Sequence, residues 1–180
     1  IQPEQKTAIN VSQEVYFVPN LKTKIHLLDY FLKDETFSKL IVFCKSKEAA
    51  NNIHKYFARV YGDDFARLVH GNKTQQSRIN AVKQFTEEDI RMLVTTDVAA
   101  RGIDISNVSH VINFDAPLIY EDYIHRIGRT GRAFQTGHAI TFINEADEYH
   151  LNKIEKLIKQ KIPVSEIPGQ VFIEKTPYEE

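Results

Sequence analysis

Leu40-Ile41-Val42-Phe43-Cys44, followed by Lys45-Ser46-Lys47, is the stretch whose reading decides the fold. Five consecutive apolar residues leave no alternation between a wet and a dry face. A strand of that kind must be covered on both sides, as in a parallel sheet between two layers of helices. Ser46 supplies a cap for a helix reaching to about Tyr61, with Ala50, Ile53 and Phe57 on its inner face.

The same alternation extends in both directions. Upstream, residues 13–18 read as a strand stopped by Pro19, and Asn20 caps a helix through about Lys33 with Leu21, Ile25, Leu28 and Leu32 on one side. Downstream come a strand at Ala66–Val69, a helix over 74–85, strands over 91–95 and 111–114, a helix from about Tyr120, a strand over 139–143 and an amphipathic helix over 147–161. Strands alternating with helices at short spacing imply βαβ units, hence an α/β fold with one parallel sheet in three layers. One domain is expected over residues 13–162, after a linker at 1–12 and before an extended or disordered tail at 163–180 containing Pro168, Gly169 and Pro177. In such sheets, ligands gather at the carboxyl ends of the strands.

Composition narrows the chemistry. The 180 residues carry a net charge of −1, so a nucleic-acid surface has to be a local patch and not a global basic field. Cys44 is the one cysteine, which excludes an internal disulfide and a multi-cysteine zinc site and fits a reducing, cytoplasmic setting. No run of 18 apolar residues occurs, and the histidines have no metal-type spacing, so neither a membrane partner nor a metal site is expected. The first residue is Ile1 and the sole methionine is Met92, which points to a piece of a longer polypeptide.

Three stretches after strands carry polar residues in patterns that suit phosphate. The densest is His125-Arg126-Ile127-Gly128-Arg129-Thr130-Gly131-Arg132, with an arginine every third residue and glycines that allow close approach. Alone, it reads equally as a solvated basic edge. Thr95-Thr96-Asp97-Val98-Ala99-Ala100-Arg101-Gly102-Ile103-Asp104 combines hydroxyls, a glycine turn and carboxylates. It reads either as a phosphate and ribose loop, or as a βα turn capped by Thr96 and Asp97 with Arg101 paired to Asp104. His70-Gly71-Asn72-Lys73-Thr74-Gln75-Gln76-Ser77-Arg78 places an arginine and hydroxyls at a helix start, which suits a phosphodiester or simply caps a surface helix.

Taken together and in this order, these stretches resemble the C-terminal RecA-like domain of DEAD-box ATP-dependent RNA helicases. H-R-I-G-R-T-G-R matches that family's motif VI residue for residue, residues 95–104 look like motif V, and 40–47 look like motif IV. The resemblance implies that Arg129 and Arg132 are arginine fingers toward the γ-phosphate of ATP, that Gly102 and Asp104 border the nucleotide, and that His125 and Arg126 couple two domains. It also implies that Ser46, Gly71, Arg78 and Thr96 line an RNA strand, read through phosphates and 2′-hydroxyls with little sequence preference. Gln75 would shape that loop.

The expected cofactor is ATP with Mg²⁺, whose metal ligands would lie on an N-terminal RecA-like domain of the same polypeptide. The 180 residues contain neither G-x-x-x-x-G-K-[ST] nor Asp-Glu-Ala-Asp, so this part alone is expected to be inactive toward ATP; separately, it is expected to be monomeric. Two alternatives stay open at this point: a non-catalytic module binding RNA or a protein, and a DNA helicase of the same superfamily.

Overall fold

The chain was described from a computed structural model covering residues 11–71, 74–131 and 136–176. Strand β2 (Leu40–Cys44) runs through the middle of the sheet with all five side chains buried. Around it lie β1 (Val11–Phe17), β3 (Ala66–Val69), β4 (Met92–Thr96), β5 (His110–Asn113), β6 (Gly137–Ile143) and a two-residue β7 (Val164–Ser165). The order across the sheet is β3-β4-β2-β5-β6-β1-β7, and every pairing is parallel.

Alternate side chains of β2 enter two separate cores, as the strand period of two requires. Ile41 and Phe43 face one core, with Val82 and Phe85 of α3 (Gln75–Glu87), Ala99 and Ala100 of α4 (Asp97–Ala100), Tyr123 and Ile127 of α5 (Glu121–Ile127), and Leu151 and Ile154 of α6 (Glu148–Ile158). Leu40, Val42 and Cys44 face the other, with Leu27, Leu28 and Phe31 of α1 (Leu21–Leu32) and Ile53 and Phe57 of α2 (Lys47–Tyr61). This is the three-layer α/β arrangement expected from the sequence.

Side-chain caps set the helix starts. Asn20 Oδ1 accepts from Thr23 N at 3.0 Å, Ser46 Oγ from Ala49 N at 3.1 Å, and Thr74 Oγ1 from Ser77 N at 3.1 Å. Most boundaries shift by one or two residues from the sequence reading, and two shifts have a visible cause. β1 begins at Val11 because its parallel register with β6 runs unbroken from Val11↔Gly137 to Phe17↔Ile143. The last helix is shorter, with a 3₁₀ turn over Glu145–Asp147 before it and a left-handed Lys159 (φ 59°) after it. Residues 164–176, part of the tail expected to be extended or disordered, are docked: β7 pairs with β1, and Glu174 N donates to Thr23 Oγ1 at 3.0 Å.

The chain reverses direction across β2. From β2 it runs through α2 to the β3 side, and from β4 it passes over to β5 on the other side. This switch point leaves the carboxyl ends of β3, β4, β2 and β5 on one rim, where the loops bearing the three informative stretches emerge. No helix among the described residues is long and apolar enough to cross a membrane.

The opposite rim carries a titratable ring. His110 is buried between Phe37, stacked at 3.7 Å between ring centroids, and His138 at 4.9 Å. Burial first, and the neighbouring His138 second, push His110 down to about 4 from 6.5. The folded state therefore binds fewer protons than the unfolded state between these values, so the stabilising effect of a neutral ring is complete above about 6.5 and declines toward 4. We expect a loss approaching ~3 kcal/mol across that range from this group. His110→Phe, which keeps the stack, should flatten that part of the curve in denaturant titrations at both ends of the range. An unchanged slope would contradict the assignment.

Candidate functional site

Arg126 is the centre of the rim. It sits in α5 with 1% of its side chain exposed, although an arginine is seldom fully buried without partners. Its Nε and Nη2 donate to Asp97 Oδ1 and Oδ2, both at 2.7 Å, a bidentate fork. Its Nη1 donates to Asp115 O at 2.7 Å and to Asn113 Oδ1 at 3.3 Å, and its guanidinium lies 5.0 Å from the Phe43 ring centre. One side chain thus joins α4, the end of β5 and the end of β2. Asp97 is placed by Thr96, which ends β4 and caps α4 through Ala99 N at 3.3 Å.

Arg129 lies beyond the end of α5, because that helix stops at Ile127 and passes through Gly128. Arg126 and Arg129 consequently do not form a row on successive helical turns. Arg126 turns inward, while Arg129 Nη1 reaches the carbonyls of Ile103 and Ile105 at 3.4 and 3.5 Å. That brings it to the loop containing Gly102, whose φ of +75° explains a glycine there. Asp104 is exposed on the same loop, and Arg132 falls outside the described residues.

His125 is exposed, with Nδ1 3.7 Å from Asp122 Oδ1. Arg101 pairs with Asp122 at 3.1 Å, not with Asp104. Arg101, Gly102, Asp122, His125, Arg126 and Arg129 line one cleft of about 200 Å³.

The residues expected to meet RNA end three adjacent strands. Thr95 in β4 is in register with Val69 of β3 and with Phe43 of β2, so Gly71, Thr96 and Ser46 emerge side by side. At ordinary strand spacing they span about 10 Å across the rim. Gly71 has open space where a Cβ would stand. Ser46 and Thr96 accept backbone N–H groups as helix caps, so in both the hydroxyl oxygen has a structural task as well. Arg78, on the first turn of α3, donates Nη2 to Gln75 Oε1 at 2.5 Å.

Two carboxylates of the site, and one glycine on the opposite rim, were given no such role in the sequence, where Asp97 stood only as a possible helix cap. Asp97 and Asp122 hold arginines, and the signal for each was a carboxylate inside or beside an arginine-rich motif. Gly137 had no such signal. A Cβ there would lie 2.2 Å from Gly131 N, so the start of β6 and the end of the arginine stretch touch backbone to backbone. Among the described residues no group of three His, Cys, Asp or Glu side chains converges to hold a metal ion.

The switch-point rim, the arginine fork and the glycine loop define a RecA-like domain of the helicase type. Residues 23–134 match the helicase conserved C-terminal domain. The fold superposes on Escherichia coli DEAD-box protein SrmB, in complex with regulator of ribonuclease activity A, with a TM-score of 0.83 and 34% identity, covering 94% of this chain and 98% of that one. It also superposes on Saccharomyces cerevisiae Dbp5 bound to RNA and ADP BeF3, with a TM-score of 0.78 and 30% identity over 88% of this chain and 42% of that one. In sequence it is 41% identical to the ATP-dependent RNA helicase RhlB of Psychromonas ingrahamii over 98% of this chain and 42% of RhlB. The chain belongs to the helicase C-terminal domain family, as the C-terminal RecA-like domain of a DEAD-box protein. It spans about two-fifths of the length of the curated relatives it matches.

Removing the buried guanidinium would leave Asp97 facing the core without its fork. Arg126→Met should cost about 3 kcal/mol or more in denaturant unfolding, and Arg126→Lys should recover only part, since an ammonium cannot bond both carboxylate oxygens in the same plane. A loss under about 1 kcal/mol would show that the fork is dispensable.

Proposed function

We propose that this chain is the C-terminal half of an ATP-dependent DEAD-box RNA helicase, acting with an N-terminal RecA-like domain of the same polypeptide. The observation that carries this reading is the cleft of about 200 Å³ beside the Gly102 turn, walled by Arg101, Arg126 and Arg129, with Asp97 and Asp122 in the same wall holding two of them. Whole small ligands fill pockets of about 300–1,000 Å³. A smaller, cation-walled cleft suits the phosphate end of a nucleotide whose remainder is held elsewhere.

In this reading Arg129 and Arg132 reach the γ-phosphate across the domain boundary. Their fixed charges stabilise the transferring phosphoryl group, an effect of about three to five orders of magnitude where such fingers are tested. ATP with Mg²⁺ supplies the phosphoryl chemistry, the metal being held by the other domain. Asp104 and Gly102 border the nucleotide. His125, exposed beside Asp122, faces the partner domain, while Arg126 acts through Asp97 and α4.

RNA runs along the ends of β3, β4 and β2, past Gly71, Thr96 and Ser46, with Arg78 on its phosphates. Contacts to backbone and 2′-hydroxyls favour RNA over DNA and give little sequence preference. Closure of the two domains on ATP and RNA would bend the bound strand and open a duplex locally. The buried thiol Cys44 fits the reducing cytoplasm. The fold match to Dbp5 bound to RNA and ADP BeF3 supports the pairing of RNA with a nucleotide on this architecture.

The test is Arg129→Ala in the full-length polypeptide, with RNA-stimulated phosphate release as the readout. We expect a fall of more than about tenfold in kcat. Activity within that factor of wild type would remove Arg129 from the finger role.

A further inference from the structure

We infer that Asp115 is a positioning residue that ties Arg126, on the nucleotide side of the rim, to the Lys45-Ser46 turn on the RNA side. The inference rests on the function proposed above. Asp115 lies just beyond β5, where its N–H and that of Phe114 both point at Phe43 O, at 3.4 and 3.0 Å. Its backbone carbonyl accepts Arg126 Nη1 at 2.7 Å. Its carboxylate turns to the opposite side. There Oδ2 accepts the N–H of Lys45 at 2.9 Å and Oδ1 pairs with Lys24 Nζ at 3.2 Å.

These contacts make Asp115 a one-residue link between Arg126 and the Lys45-Ser46 turn. The carbonyl carbon that holds Arg126 is bonded to the Cα that carries the carboxylate. The Lys45 N–H lies one residue past the last paired position of β2, Cys44↔Thr96, so no neighbouring strand fixes it. The Asp115 carboxylate does so, and with it the approach to Ser46, whose hydroxyl caps α2. Only 13% of the Asp115 side chain is exposed, so the hydrogen bond to Lys45 is largely shielded from water. Asp115, Lys24, Lys45 and Ser46 also share the wall of a cleft of about 350 Å³ that opens between the first turns of α1 and α2. A shift of Arg126 when nucleotide and partner domain close on the rim therefore moves the peptide that positions Ser46. RNA binding at Ser46 acts back on Arg126 by the same route.

The test compares Asp115→Ala and Asp115→Asn in the full-length polypeptide, measuring kcat, KM for ATP and the RNA concentration giving half-maximal ATPase stimulation. Asp115→Ala should raise the half-saturating RNA concentration about tenfold, the loss expected when one charge-assisted hydrogen bond no longer holds the turn. KM for ATP measured without RNA should change by less than about twofold, and its response to added RNA should shrink. Asp115→Asn, whose amide oxygen still accepts the Lys45 N–H, should stay within about threefold of wild type. A second pair keeps the question answerable if Asp115→Ala does not fold. Lys45→Pro removes the N–H and leaves Asp115 intact, and against Lys45→Ala it should raise the half-saturating RNA concentration by a similar factor.

A lowered thermal midpoint with an unchanged half-saturating RNA concentration would overturn the inference, as would equal impairment of the Ala and Asn variants. Wild-type protein without RNA stimulation would overturn the proposed function and this inference with it. Clear wild-type stimulation with an indifferent Asp115→Ala would overturn the inference alone.

Discussion

A guanidinium buried to 1% exposure has to be met on every side, and the way Arg126 is met organises the rim of this domain. Asp97 takes two of its N–H groups in a planar fork, the carbonyl of Asp115 and the amide of Asn113 take a third, and Phe43 covers one face. Each partner comes from a different piece of chain: the start of α4, the end of β5 and the end of β2. Water cannot substitute at this depth, so displacing any partner leaves a charge exposed to the apolar core. The loops that carry the candidate nucleotide and RNA residues are consequently built onto one shared support.

That support explains how a weakly charged chain can hold several arginines together at one edge. With a net charge of −1 there is no general attraction for polyanions. Three arginines, Arg101, Arg126 and Arg129, instead converge on one small cleft at the switch point of the sheet. Two of them are already matched by carboxylates, Arg101 by Asp122 and Arg126 by Asp97. In the proposed function those carboxylates hold the arginine side chains in place before a ligand arrives, so less conformational entropy is lost on binding.

The fold was legible because its signals are local. The continuous apolar run at Leu40–Cys44 has one economical explanation, and Asn20, Ser46 and Thr74 each cap the helix that the sequence pattern placed after them. Strand β7 and the docking of Glu174 on the α1 cap were not legible, since they depend on partners about 150 residues distant that leave no periodic trace. Motif order pointed to one rim, and the structure brings Arg101, Gly102, His125, Arg126 and Arg129 to one cleft there, but how each arginine is held was not legible. The spacing of three between Arg126 and Arg129 does not say which side chain turns inward. The structure ends α5 at Ile127 and sends one side chain inward and the other to the Gly102 loop. The choice of Asp122 over Asp104 as partner of Arg101 likewise depends on which helix packs beside the loop. Gly137 was invisible because its constraint is the backbone of Gly131 across the sheet edge.

The central claim is that this chain is one wall of an ATP site that a second domain completes. Its most direct test is steady-state phosphate release in the presence of RNA by this chain alone, and by the full-length polypeptide that contains it. The account predicts no turnover above buffer for the chain alone and RNA-stimulated turnover for the full-length protein. Hydrolysis by the chain alone would contradict it.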